Sequence, residues 1–195
     1  GADRSLAIQQ LVVAASQQFA PSDIAVISML EDPSSALGRF CHEHDIANYM
    51  APDAAALKKA LSTVKSCRQV FVETPDLTPS LGGQDPAINT LLKQRAGLTA
   101  LLVLPCTVQE EYLQLLTTHA EQLPLAGSVL THLGEATSIG PVLGILAGRD
   151  IPIAGVADSA NSELLRITSE GLINESKRLA RRNLERKNQQ LKGAV

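Results

Sequence analysis

The 195-residue chain has no tryptophan, only two tyrosines and three phenylalanines. Proteins that hold single-stranded nucleic acid stack bases on aromatic faces, so this poverty argues against that class. It also leaves Leu, Ile, Val and Ala to build the core, which suits an α/β protein with parallel strands. The three cysteines, Cys41, Cys67 and Cys106, are odd in number and far apart. They form no disulfide framework, and no CxxC pair offers a zinc site, so buried, reduced thiols in a cytosolic protein are expected. No apolar run approaches the ~20 residues of a membrane-spanning helix, and no signal peptide opens the sequence.

What is present is ordinary for a globular domain: 45% apolar and 19% charged residues, in a length that suits one full core. The net charge of −3 hides an asymmetry. Residues 1–174 hold 10 Lys and Arg against 18 Asp and Glu, whereas residues 175–195 hold 7 against 2.

Apolar strands alternate with amphipathic helices along almost the whole chain. Strands are predicted at 23–30, 46–51, 68–74, 98–106, 125–133 and 151–158. Helices are predicted at 5–19, 34–45, 52–66, 87–95, 108–123, 138–149 and from 161 to about 192. In the first, Ile8, Leu11, Val12 and Ala15 share a face; in 108–123, Tyr112, Leu115, Leu116 and His119 do. Continuous apolar strands separated by helices specify a parallel sheet, of six or seven strands here, covered by helices on both faces. Ligands on such sheets bind beyond the carboxyl ends of the strands, so those loops are where function is sought.

The stretch "GADRS" (1–5) precedes the first helix. Laid on a phosphate-binding loop, G-x-x-x-x-G-K-[ST], it puts Ser5 at the magnesium hydroxyl, Arg4 at the lysine and Asp3 at a glycine. Gly1 then falls inside the loop, and a carboxylate at Asp3 repels phosphate where amide donors are wanted. An ordinary helix start explains the stretch equally well. After strand 68–74 come Glu73-Thr74-Pro75-Asp76. A GTPase carries Asp-x-x-Gly there, so Glu73 keeps a longer carboxylate and Asp76 replaces the glycine. After strand 125–133 come Thr131-His132-Leu133-Gly134, where a guanine-binding protein carries Thr-Lys-x-Asp. His132 stands at the lysine, and Gly134 offers no acceptor for guanine.

These loops, in this order, resemble the G domain of signal-recognition-particle-type GTPases, and among them the flagellar-placement FlhF branch. The most specific part is "SVLTHLGEATSIGPVLGILAGRDIPIAGVADSANSELL" (128–165), in which Glu135, Ala136, Ser138 and Gly140 match the family's helix-start framework. Thr74 matches its Asp-Thr-Ala-Gly loop, and "DSANS" (158–162), with Asp158, replaces the closing Gly-Gln. The resemblance implies a parallel-sheet P-loop NTPase fold that binds GTP and Mg²⁺, dimerises face to face across two nucleotides, and acts in flagellar assembly or targeting at the membrane or cell pole. Departures at every nucleotide loop turn that expectation toward a pseudo-GTPase. It would bind GTP and Mg²⁺ weakly or not at all, with Ser5 and Glu73 as the metal-side residues. Residues 1–160 then form a G-like domain that begins inside the phosphate loop, and 161–195 a basic helix.

The partners expected are a protein of the flagellar or targeting machinery, or a second copy, on the former nucleotide face. The basic segment 175–195 reads as a solvated helix face, an anionic-membrane contact or an RNA contact; without an aromatic platform, nucleic acid is not expected. There Leu172, Leu179 and Ala180 suggest a packed stripe. Cys41, His42 and His44 are too close along one helix to converge on a metal.

Overall fold

The computed structural model describes residues 3–30, 35–75, 98–121 and 123–193. The elements run α1 (Arg4–Ser16), β1 (Ile24–Ser28), α2 (Ala36–Glu43), β2 (Ala47–Met50), α3 (Ala54–Thr63) and β3 (Gln69–Glu73). The second half comprises β4 (Ala100–Pro105), α4 (Glu110–Ala120), β5 (Leu125–Thr131), α5 (Gly140–Gly148), β6 (Ile153–Ala157) and α6 (Ser169–Gly193). The helix expected at 87–95 lies outside the described residues.

Local signals set the helix starts. Asp3, Ser35 and Asp53 each accept a backbone N–H from three residues on, capping α1, α2 and α3, and Thr168 does the same for α6. Asp3 is therefore a helix cap, satisfying one orphan donor and opposing the positive end of the α1 dipole.

All strand pairs are parallel, and every strand is followed by a helix or loop that returns to the same end. The fold class read from the sequence holds, with one difference. Among the described residues the ladder is broken into two three-stranded sheets, ordered β2-β1-β3 and β4-β5-β6. Helices cover both faces. On β1, Ile24 and Val26 pack with α1 and α2, while Ala25 and Ile27 pack with α3. In the second sheet, Leu102, Leu104, Leu130 and Val156 pack with α4, α5 and α6. Their opposite neighbours Leu101, Val103, Val129 and Ala157 meet Ala7 of α1. The helix α1 thus spans both half-sheets.

Three expectations are corrected. The last helix begins at Ser169, not Asn161: Leu165 turns back to exchange backbone hydrogen bonds with Val156, which holds residues 159–168 out of helix. Gly155 permits this crossing, since a Cβ there would lie 2.7 Å from Leu164 Cγ. In α4 the buried face is Leu113, Leu116, Thr117 and Ala120, so Leu115 points outward. In α6, Leu172 and Leu179 are core residues but Ala180 is exposed.

Candidate functional site

The carboxyl ends of the strands carry the residues the sequence singled out. Glu73 closes β3 and Thr131 closes β5; Thr74 follows β3, and His132 and Gly134 follow β5. Asp158 follows β6, while Arg4 and Ser5 open α1. Asp76 lies outside the described residues.

Glu73 is the centre of the best-defined arrangement. It is 2% exposed, and both carboxylate oxygens are satisfied by hydroxyls. Ser5 Oγ donates to Oε1 at 2.7 Å and Ser28 Oγ to Oε2 at 2.8 Å. The β1–β3 register sets Ser28 beside Glu73 as its Cα partner, and both end their strands. The extra methylene of Glu over Asp carries the carboxylate to the helix hydroxyl. Hydrogen bonds to a charged group contribute roughly 1.5–3 kcal/mol each, against a larger cost of burying the charge unpaired.

The other predicted residues do not join this cluster. No described hydrogen bond links Thr131, His132 or Gly134 to Ser5 or Glu73. Thr131 is buried, and its Oγ1 has no hydrogen-bond partner among the described residues. His132 adopts a left-handed backbone, φ 56°, and its Nδ1 lies 3.3 Å from Glu135 Oε1. Gly134 sits in a short 3₁₀ turn, with no atom of the described residues within 4 Å of where its Cβ would be. Asp158 is exposed and uses Oδ1 to fix its own turn, accepting from the Ala160 N–H at 3.0 Å.

Three residues escaped sequence reasoning. Ser28 is one, and its signal was a lone hydroxyl within an otherwise apolar strand. Gln10 is a second: it is 1% exposed within α1, and its Nε2 donates to the carbonyls of Asp158 (2.7 Å) and Asn161 (2.8 Å). The loop after β6 is thus tied to the helix that also holds Ser5. Arg182 is the third. Its guanidinium donates to the carbonyls of Gly134 (2.7 Å) and Ala136 (2.9 Å), and neighbouring Asn183 donates to that of Thr137. Within a run of basic residues nothing in the sequence marked it.

The thiols are spectators. Burial pushes Cys106 up to about 12; burial, then the nearby Glu73 charge, pushes Cys41 up to about 11. His42 and His44 are exposed, and His44 Nδ1 lies 3.0 Å from the Phe40 carbonyl. Among the described residues no group of three His, Cys, Asp or Glu could hold a metal, and no helix is long and apolar enough to cross a membrane.

The residues present fit guanine poorly on the base side, whereas on the metal side Ser5 and Glu73 are the residue types a magnesium site would use and are hydrogen-bonded to each other. At Gly134 there is no side chain to accept from guanine.

Comparison with solved structures places the architecture in a class. The chain has the fold of signal-recognition-particle-type GTPase G domains. No protein-family profile matches its sequence. It superposes on FlhF complexed with GTP and Mg²⁺ with a TM-score of 0.71 at 14% identity, covering 90% of this chain and 70% of that one. For FlhF complexed with GMPPNP and Mg²⁺ the TM-score is 0.66 at 19% identity, covering 90% and 69%. Chloroplast FtsY from Physcomitrella patens gives 0.65 at 18%, covering 88% and 60%.

Proposed function

We propose that the chain is a degenerate FlhF-like GTPase domain, a non-catalytic or weakly nucleotide-binding scaffold in flagellar biosynthesis or polar protein targeting. The observation that carries this reading is the Ser5–Glu73–Ser28 cluster, in which the metal-side hydroxyl and carboxylate are hydrogen-bonded to each other and Ser28 donates to the second carboxylate oxygen. Gly134 supports it, because guanine selection needs an acceptor that glycine lacks. On this reading the rim once given to nucleotide serves a protein of the flagellar or targeting machinery, or a second copy. The exposed cations of α6 meet an anionic membrane surface.

Calorimetric titration with GTP and GDP, with Mg²⁺ present, tests the proposal. The expected outcome is no saturable heat below about millimolar nucleotide, equivalent to a binding free energy weaker than about −4 kcal/mol. Micromolar affinity for GTP overturns it. A second reading, a genuine GTP-hydrolysing FlhF-type enzyme, draws on the 2.7 Å Ser5–Glu73 contact, which keeps both metal-side groups adjacent. That reading requires GTP hydrolysis that Ser5→Ala abolishes.

A further inference from the structure

One helix makes directional contacts to both half-sheets. Ser5 and Gln10 stand on α1 about 140° apart around its axis, at 3.6 residues per turn. Ser5 meets the first sheet, donating to Glu73 at the end of β3 at 2.7 Å. Gln10 meets the loop after β6, where its Nε2 donates to the carbonyls of Asp158 (2.7 Å) and Asn161 (2.8 Å). Between them Ala7, 1% exposed, packs with Val129 of β5 and Ala157 of β6. Apolar contact is non-directional and tolerates sliding, whereas hydrogen bonds hold one geometry. The two polar contacts therefore set both the axial position and the rotation of α1.

Gln10 grips a turn and not a single group. The Asn161 N–H donates to the Asp158 carbonyl at 3.1 Å, and one side-chain amide holds both ends of that turn. The chain then lays Leu164 in the Ala7 cluster, and Leu165 exchanges two 2.9 Å hydrogen bonds with Val156 before α6 begins at Ser169. Residues 158–165 thus form a strap held to α1 and to the edge of β6. A second tie to α1, from Gln17 Nε2 to Glu163 Oε1, is exposed. Gln10 is 1% exposed, so opening the strap strands its amide donors in the interior.

We propose that α1 is a two-point strut that couples the Ser5–Glu73 contact on one half-sheet to the 158–165 strap on the other, with Gln10 as the positioning residue. Breaking the Ser5–Glu73 bond frees α1 to shift, and the shift is felt where Gln10 holds Asp158 and Asn161. A cation or a partner's side chain that draws Ser5 or Glu73 away from the other therefore loosens the segment that feeds α6. The coupling is a free energy shared by two sites, so it runs in both directions. It goes beyond the scaffold reading and holds for a nucleotide-binding and a nucleotide-free rim alike.

The test is hydrogen exchange, amide by amide, on the 195-residue chain and its Ser5→Ala, Ser28→Ala and Gln10→Met variants. The amides of Ala25–Ile27 in β1 serve as the measure of global opening. Ser5→Ala should speed exchange at Asn161 and Leu165 at least about fivefold beyond that reference, the scale of one lost hydrogen bond. Ser28→Ala removes a donor to the same carboxylate without touching α1, and should leave both amides at the reference. Gln10→Met should by itself speed exchange at Met29, whose N–H donates to the Glu73 carbonyl at 3.0 Å, so the outcome does not hang on Ser5→Ala folding. Acceleration confined to each variant's own end of α1 overturns the strut. Uniform acceleration that includes β1 assigns the effect to global stability and overturns it equally. Ser28→Ala matching Ser5→Ala at the strap places the coupling in the sheet and removes the helix from it.

Discussion

Ser28 and Glu73 are register partners at the ends of β1 and β3, and the Ser28 hydroxyl donates to Glu73 Oε2 at 2.8 Å. Ser5 reaches the other oxygen from α1. Strand pairing and helix placement therefore meet on one buried carboxylate, and the helix–sheet contact is polar at this point.

The two serines share an acceptor, so their deletions are coupled. Ser5→Ala and Ser28→Ala should each destabilise the fold by about 1–2 kcal/mol in urea unfolding, within the range for hydrogen bonds to charged groups. The double variant should cost more than the sum, since it strands the charge. A sum that is additive within about 0.5 kcal/mol would show the carboxylate to be indifferent to losing both donors.

Arg182 holds the loop after β5 from the far side. Arg182→Ala releases the carbonyls of Gly134 and Ala136 and should speed amide exchange across Leu133–Thr137, with a stability loss of about 1–3 kcal/mol. Arg181→Ala, one position away and exposed, should leave that loop unchanged. Equal effects from the two variants would mean that general charge, not this contact, steadies the loop.

Alternating apolar strands and amphipathic helices made the layer architecture legible. The break between β3 and β4 was not legible, because hydropathy reports burial and not which neighbour supplies it. The same limit hid the non-helical course of residues 159–168, where the Val156–Leu165 pairing overrides local propensity. At the site, Ser5 and Glu73 were found because they stand at positions where loops carry chemistry. Ser28, Gln10 and Arg182 were missed because their partners are remote: Gln10 and Asp158 are 148 residues apart.

The thiols give a pH dependence of definite sign. Cys41 and Cys106 keep their protons to about 11 and about 12 in the fold, against an ordinary 9.0. Between pH 9 and 11 the unfolded chain loses protons that the folded chain retains. Stability should fall as pH rises, at up to about 1.4 kcal/mol per pH unit for each thiol. Cys106→Ala should shallow that slope; an unchanged slope would assign the alkaline loss to other groups. At pH 8, partly exposed Cys67 should react with a disulfide reagent well before the other two.

The exposed face of α6 presents Ile173 and Leu184, 52% and 62% exposed, among Lys177, Arg181 and Arg186. Apolar side chains interleaved with cations suit the boundary of an anionic bilayer, where each cation gains about 1 kcal/mol near the surface. Co-sedimentation with phosphatidylserine-containing vesicles should therefore be measurable at low salt and weak at high salt. Changing Lys177, Arg181 and Arg186 together to Glu should abolish it, without disturbing Leu172 and Leu179, which anchor the opposite face in the core. Ile173→Ser with Leu184→Ser should weaken binding that survives in salt, separating the apolar from the electrostatic part. Equal sedimentation with purely zwitterionic vesicles, or full binding by the triple Glu variant, would remove the membrane from the partners of this helix.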